Sequence, residues 1–181
     1  MGLNAWRVGA FVTLILSCYL FNGCLGSTKC TWSESSEAMY HNRYLYIGYP
    51  DVKIDFYPAL THCQKLANEN NAFTSSTLFE TTTRKLKETV TKVINPKTNF
   101  WVGGHSVTCP ETASKSQFKW ISNNAPMTDP SIPWIDGEPN HKGDECCVHW
   151  KSLGDALNDY RCSGGGVPQA IICQAKIGSV R

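Results

Sequence analysis

The sequence predicts one α+β domain tied together by disulfides. Two stretches with helical periodicity lie between residues 55 and 94, short strand-like runs and a long loop follow after residue 98, and seven cysteines are spread from Cys30 to Cys173. Helices early in the chain with strands gathered behind them make an α+β arrangement rather than an alternating α/β one.

The first 26 residues stand apart from that domain. Arg7 gives a positive start, Val8 to Phe21 is an apolar run, and Cys24-Leu25-Gly26 offers small residues for cleavage. This is the pattern of a secretory signal peptide, which leaves 27–181 as the domain and places it outside the cell. The apolar run is shorter than the ~20 residues that a membrane helix needs, and it breaks at Asn22-Gly23 with no second candidate behind it. No membrane span is therefore expected. Lys and Arg number 17 against 15 Asp and Glu, and one of the 17 is Arg7 in the leader. A near-neutral domain gives no support for nucleic-acid or anionic-membrane binding. No Asn-x-Ser/Thr acceptor occurs, so N-glycosylation is not expected.

Residues 27 to 54 read as an arm followed by a strand, because Arg43-Tyr44-Leu45-Tyr46-Ile47 is aromatic and β-branched. A helix starts near Asp55, a capping residue type, with Pro58 in its first turn. Phe56, Ala59, Leu60, Cys63, Leu66 and Ala67 share one face at helical spacing, and Asn68 to Asn71 end the helix. A second helix is expected from Thr77 and Glu80, which stand at capping-box spacing. Leu78 or Phe79, Leu86, Val90, Val93 and Ile94 form its stripe, and Pro96 stops it. Strands are expected at Asn99 to Gly103, Gln117 to Ser122, Cys147 to Trp150 and Gln169 to Gln174. Asn123 to Glu145 holds four prolines and little periodicity. A loop of that length inside a compact domain is usually functional.

Of nine cysteines, Cys18 and Cys24 leave with the leader. The remaining seven read as disulfides rather than a zinc site, since no Cys-x-x-Cys or His-x-x-x-His pair accompanies them. Seven is odd, so at least one thiol is free or pairs with another chain.

The chemistry concentrates in Trp134 to Cys162. Glu138-Pro139-Asn140 with Glu145, and then Asn158-Asp159, set carboxylates beside amides, and a cysteine follows each cluster. Hard cations such as calcium take six to eight oxygen ligands from these side chains. An amide that offers its oxygen to a metal still has an NH2 to donate. Three carboxylates and two amides can thus hold calcium and hydrogen-bond a polyhydroxyl ligand.

These residues resemble the C-type lectin domain family, specifically its calcium-dependent, mannose-type members. Glu138-Pro139-Asn140, Glu145 two places before Cys147, Asn158-Asp159 before Cys162, the Trp134/Gly137 spacer, Phe100-Trp-Val-Gly-Gly104 and Cys63 all fit the family pattern, over roughly Cys30 to Lys176. The resemblance implies the C-type lectin-like fold: two helices, small antiparallel sheets and a long calcium- and sugar-binding loop. It implies that Glu138, Asn140, Glu145, Asn158 and Asp159 ligate one calcium, with the Asp159 backbone carbonyl as a further ligand. The bond before Pro139 is expected to be cis. Glu138, Asn140, Glu145 and Asn158 are expected to contact the sugar as well. The Glu-Pro-Asn order implies mannose, N-acetylglucosamine and fucose rather than galactose, and hence terminal mannose-type glycans as partners. Glycan recognition in innate defence or adhesion follows from the same resemblance. Leu157 departs from it, standing where the family usually has Trp beneath the site.

The family pattern also pairs Cys63 with Cys173 and Cys147 with Cys162. Many members hold an auxiliary calcium beside the first, but the corresponding places here carry Ser106, Pro110, His141 and Cys146, so that second ion is not expected. Cys109 and Cys146 fall in the same two regions, and a Cys109–Cys146 disulfide in its place is one expectation. Cys30 with Cys109, leaving Cys146 free, is the other. The first leaves Cys30 for an inter-chain bridge in a homo- or heterodimer. No catalytic motif competes: His62 in a helix and His149 in a strand read as surface or packing residues, Gly164-Gly165-Gly166 lacks phosphate-loop context, and an enzyme is not expected. The rival reading is a lectin-like domain that binds a protein partner and has weakened or lost sugar binding.

Overall fold

The computed structural model describes residues 37–41, 43–52, 54–81, 83, 87–88, 94, 97–109, 114–164, 166 and 170–178. The leader and Cys30 lie outside them. Chain order is β1 (Glu37–His41), β2 (Tyr44–Tyr49), α1 (Phe56–Glu69), β3 (Phe73–Leu78), β4 (Phe100–His105), β5 (Lys119–Trp120), β6 (Cys147–Lys151), β7 (Ala156–Tyr160) and β8 (Ala170–Ile177). The strands run β1-β2-β8-β4-β6-β7 across one sheet, with β3 also pairing β8 and β5 pairing β4.

The eight-residue strand β8 is the centre of this arrangement because its first six residues, Ala170 to Ala175, are all buried. A strand covered on both faces reads as a continuous apolar run rather than an alternation. Its even and odd positions feed two cores. Ile172 joins Phe100, Val102, Val148, Trp150 and Leu157 in one, and Ile171, Cys173 and Ala175 join α1 in the other. From α1, Phe56, Ala59 and Cys63 are the buried residues, and Leu60, Leu66 and Ala67 of the expected stripe are partly buried against the same core. Phe56 meets the Trp101 ring edge-on at 5.4 Å, and Trp101 Nε1 donates to the Ile54 carbonyl at 2.9 Å. Cys63 and Cys173 bridge helix to central strand, with Cα atoms 5.2 Å apart.

Four expectations are corrected. Thr77 and Leu78 do not open a helix; they end β3, paired with Gln174 and Cys173. Pairing with the buried β8 outweighs a local capping pattern, and Glu80 instead accepts from Ser122, at its backbone N and its hydroxyl. Lys87 and Glu88 are helical, while Leu86, Val90 and Val93 lie outside the described residues. The strands form a single mixed sheet rather than small antiparallel ones, because β4 and β8 pair in parallel at Phe100–Ala170 and Trp101–Ile171. The Gln117 to Ser122 strand shortens to Lys119–Trp120. Asp55 stands at the N-cap of α1 but its side chain makes no capping bond; its carbonyl accepts from Ala59 N, and Phe56 N reaches Cys162 O.

The Pro-rich loop is anchored by its apolar residues. Met127, Ile132 and Trp134 are buried in the first core. Ile135 N donates to Leu157 O at 2.9 Å and Leu157 N to Pro133 O at 2.7 Å, so the middle of the loop lies along β7 like a short extra strand.

Candidate functional site

The site is built where that loop crosses the β6–β7 pair. In their antiparallel register His149 faces Asn158, Val148 faces Asp159 and Trp150 faces Leu157. Neighbouring residues of a strand point to opposite faces. Asn158 therefore opens with His149 toward a cleft, while Asp159 turns to the other side, beneath the loop. There its carboxylate accepts from Asn140 N at 3.1 Å and His141 N at 2.7 Å. A fully buried carboxylate thus fastens the turn that follows Pro139, and the Glu138–Pro139 bond is cis. Beyond it Gly143 has φ +75°, and a Cβ there would meet the Arg161 guanidinium at 2.7 Å. Arg161 Nε donates to Gly143 O at 2.7 Å, which closes the loop onto the end of β7.

The cleft holds about 330 Å³ and is lined by Glu138, Asn140, Glu145 and Asn158 together with Asn99, Lys142, His149, Lys151, Tyr160 and Gly166. Four of the five sequence-derived site residues line it, and the fifth, Asp159, lies against Glu138. Burial, then the neighbouring Asp159 carboxylate and the charge of Glu145, push the Glu138 carboxyl up to about 7. Burial and the Asp159 charge raise Glu145 as well. Glu138 Oε2 is buried without a hydrogen-bond partner. Two carboxyls raised by burial and by the neighbouring Asp159 charge, one of them with an orphaned oxygen, suit a hard cation among them.

Sequence reasoning gave His149 only a surface or packing role and passed over Tyr160. His149 is not a surface residue: it is 4% exposed, stacks on Tyr160 at 4.6 Å and sets Nε2 3.3 Å from Asn158 Nδ2. Burial and then the Lys151 charge lower it to about 4, so it stays neutral at physiological pH. Asn158 Nδ2 also donates to the Asp159 carbonyl. Period-two alternation from Cys147 through His149 was the available signal that His149 shares a face with the site. Tyr160 donates to Gly166 O at 2.6 Å, which ties the glycine turn to the cleft wall.

Leu157 is fully buried between Trp134 and Trp150 in the first core. Its backbone pairs with both, so the position where the family usually has Trp is filled by a leucine in the core with two tryptophans beside it. Two further disulfides flank the loop, with Cα separations of 5.2 Å in each: Cys147–Cys162 joins the start of β6 to the segment just past β7, and Cys109–Cys146 joins the segment after β4 to the residue before β6. Of the two pairings open to Cys109, the structure contains the one with Cys146.

Residues 52–175 match the lectin C-type domain profile. The chain belongs to the C-type lectin domain family. No curated protein matches this lectin domain by sequence. Among solved structures it is similar to a calcium-independent type II antifreeze protein, at 13% identity and TM-score 0.58, covering 84% of this chain and 99% of that one. It is similar to the carbohydrate-recognition domain of the mouse scavenger receptor C-type lectin, at 18% identity and TM-score 0.56, covering 78% and 96%. A C-type lectin from the tunicate Polyandrocarpa misakiensis matches at 20% identity and TM-score 0.54, covering 75% and 99%. At these identities the likeness is one of fold. C-type lectin domains generally bind calcium, are often extracellular and are typically non-enzymatic, and membership suggests carbohydrate binding. Among the described residues no helix is long and apolar enough to cross a membrane.

Proposed function

We propose that this lectin domain binds terminal mannose-type glycans outside the cell through one calcium ion, held by Glu138, Asn140, Glu145, Asn158 and Asp159. The observation that carries the reading is the orphaned Glu138 Oε2 in a cleft shared with Asn140, Glu145 and Asn158. Calcium there supplies coordination positions for two neighbouring sugar hydroxyls. The chain's own residues sort those hydroxyls by hydrogen bonding. Glu138 and Glu145 accept from them and the Asn140 amide donates, while Asn158, whose Nδ2 is shared between the Asp159 carbonyl and His149 Nε2, donates to the sugar by giving up one of those partners. Asn140 Oδ1 already accepts from Lys142 N at 2.8 Å, an orientation that leaves Nδ2 free to donate outward. Asp159 holds the loop in place from below, through Asn140 N and His141 N.

The Glu138-before-Asn140 order supports mannose, N-acetylglucosamine and fucose over galactose. Retention on a mannan column in calcium, with elution by EDTA or free mannose, is the expected result. Elution by galactose but not mannose refutes the specificity, and retention that persists in excess EDTA refutes the ion. Calcium binding with no sugar effect transfers the site to a protein ligand. Cys30 belongs to the same reading: a disulfide between two chains adds avidity to a weak single site, and a monomer band on a non-reducing gel removes it.

A further inference from the structure

A second cluster of ligand atoms lies beside the first site and involves none of its oxygens. Cys109, His141 and Cys146 each bring a ligating atom to within 4.8 Å of the other two. His141 is 8% exposed, and its Nε2 has no hydrogen-bond partner. The ring is held in place, with the backbone N fixed by Asp159 at 2.7 Å and the ring packed at 5.4 Å from Phe118. A buried imidazole nitrogen left unsatisfied beside two cysteines loses a hydrogen bond's worth of stability in the oxidised protein. Its placement has a use when the sulfurs are thiolates.

We infer that Cys109, Cys146 and His141 form a redox-gated binding site for zinc or another thiophilic divalent cation, closed while the disulfide is intact and open once it is reduced. The inference is independent of the calcium reading, since it uses other residues and a softer class of metal. Two equivalents of a small-molecule thiol supply the reduction. The protein S–S bond accepts two electrons and two protons to become two thiols, and the donor leaves as its own disulfide. Zn²⁺ then displaces the two thiol protons and binds two thiolates and one imidazole nitrogen. Ligand atoms around one tetrahedral zinc stand about 3.5 to 3.8 Å apart, and the 4.8 Å bound on the present spacing accommodates this. The Cys109–Cys146 Cα separation of 5.2 Å lets the sulfurs part by side-chain rotation alone. A Cys2His set leaves a fourth tetrahedral position for water. The sequence hid this site because Cys109 lies far from the other two donors in the chain, and His141 and Cys146 do not stand at one of the usual zinc spacings.

The test uses Co²⁺ as a spectroscopic probe on protein carrying Cys30→Ser, reduced by dithiothreitol just far enough to open one disulfide, with mass mapping of the alkylated cysteines to show which one opened. The expected result is a thiolate-to-cobalt absorption band in the near ultraviolet, bleached by zinc and absent from unreduced protein. His141→Ala is expected to weaken cobalt binding by about tenfold or more while Cys109 and Cys146 remain alkylatable. Alkylation of both thiols at the same rate with and without zinc overturns the inference. So does a cobalt band of the same affinity in His141→Ala. If Cys147 or Cys63 opens before Cys109, the disulfide is no gate and the proposal falls. His141→Gln provides a second variant with an uncharged polar side chain, and its native circular dichroism separates loss of a ligand from loss of the fold.

Discussion

Glu138 and Asp159 carry similar charge at one site and have different jobs. Glu138 presents an unpartnered oxygen to the cleft, whereas Asp159 spends both oxygens on loop N–H groups. Glu138→Gln is expected to abolish calcium binding, read by calorimetry, with the melting temperature of the calcium-free protein unchanged or higher. Asp159→Asn is expected to lose calcium binding and also to destabilise the calcium-free domain, by about 1.5 to 3 kcal/mol for charge-assisted bonds, measured in urea. The pH dependence follows from opposite shifts. Glu138 is raised to about 7, so its contribution is fully present below the ordinary carboxyl range and is lost as pH rises through about 7. His149 is lowered to about 4, so its contribution is present above the ordinary imidazole range and lost as pH falls toward about 4. Above about pH 6.5 only the carboxylate effect remains. The calcium-free domain is therefore expected to lose stability from about pH 6.5 to 8. Saturating calcium should remove that slope, and an unchanged slope would show that the carboxylates do not meet the ion.

At the scale of elements, the β6–β7 pair is the platform and the Pro-rich loop its cover, joined through Leu157. Leu157→Ala opens a cavity between Trp134 and Trp150 and is expected to cost about 2 to 5 kcal/mol, with calcium affinity falling as the floor loosens. The two framework bridges close loops of very different length, 110 residues for Cys63–Cys173 and 15 for Cys147–Cys162. Loop entropy gives about 4.7 kcal/mol for a loop near 100 residues and about 3 for the shorter one. Replacing the first pair by alanines is thus expected to lower stability by about 1 to 2 kcal/mol more than replacing the second, measured by urea unfolding. The reverse order would locate the structural weight of the disulfides in the site rather than in the helix–sheet contact.

For the whole molecule, the proposed calcium site exists only in the folded state and has no preformed counterpart in the unfolded chain, so ion binding and folding are expected to be linked. At an ion concentration one hundred times the dissociation constant the domain is expected to gain about 2.7 kcal/mol. Thermal unfolding in calcium and then in EDTA reads that gain directly. No difference between the two scans would leave the carboxylate cluster without its ion. Much of this molecule was legible in the chain. Glu138, Asn140, Glu145 and Asn158, which line one cleft, were legible as ligand types because short motifs carry them, and Cys63 lies inward because its helix stripe is regular. The helix expected from Thr77 was misread because capping-box spacing is a weak local preference, and hydrogen bonding to β8 overrode it.

What the sequence determined by itself is whatever a short window encodes: the apolar period of α1, the oxygen-rich motifs, and the inventory of cysteines from which the three bridges are drawn. The tertiary structure decided everything that joins distant windows. It made β8 central by covering both its faces and paired it in parallel with β4. It brought His149 beside Asn158 through strand register, and it set Asp159 beneath the loop, against Glu138 at the edge of the cleft. It also placed His141 against Cys109 and Cys146. The reason is the same in each case: register and burial are properties of two segments meeting, and the energy of their contact exists only once both are folded.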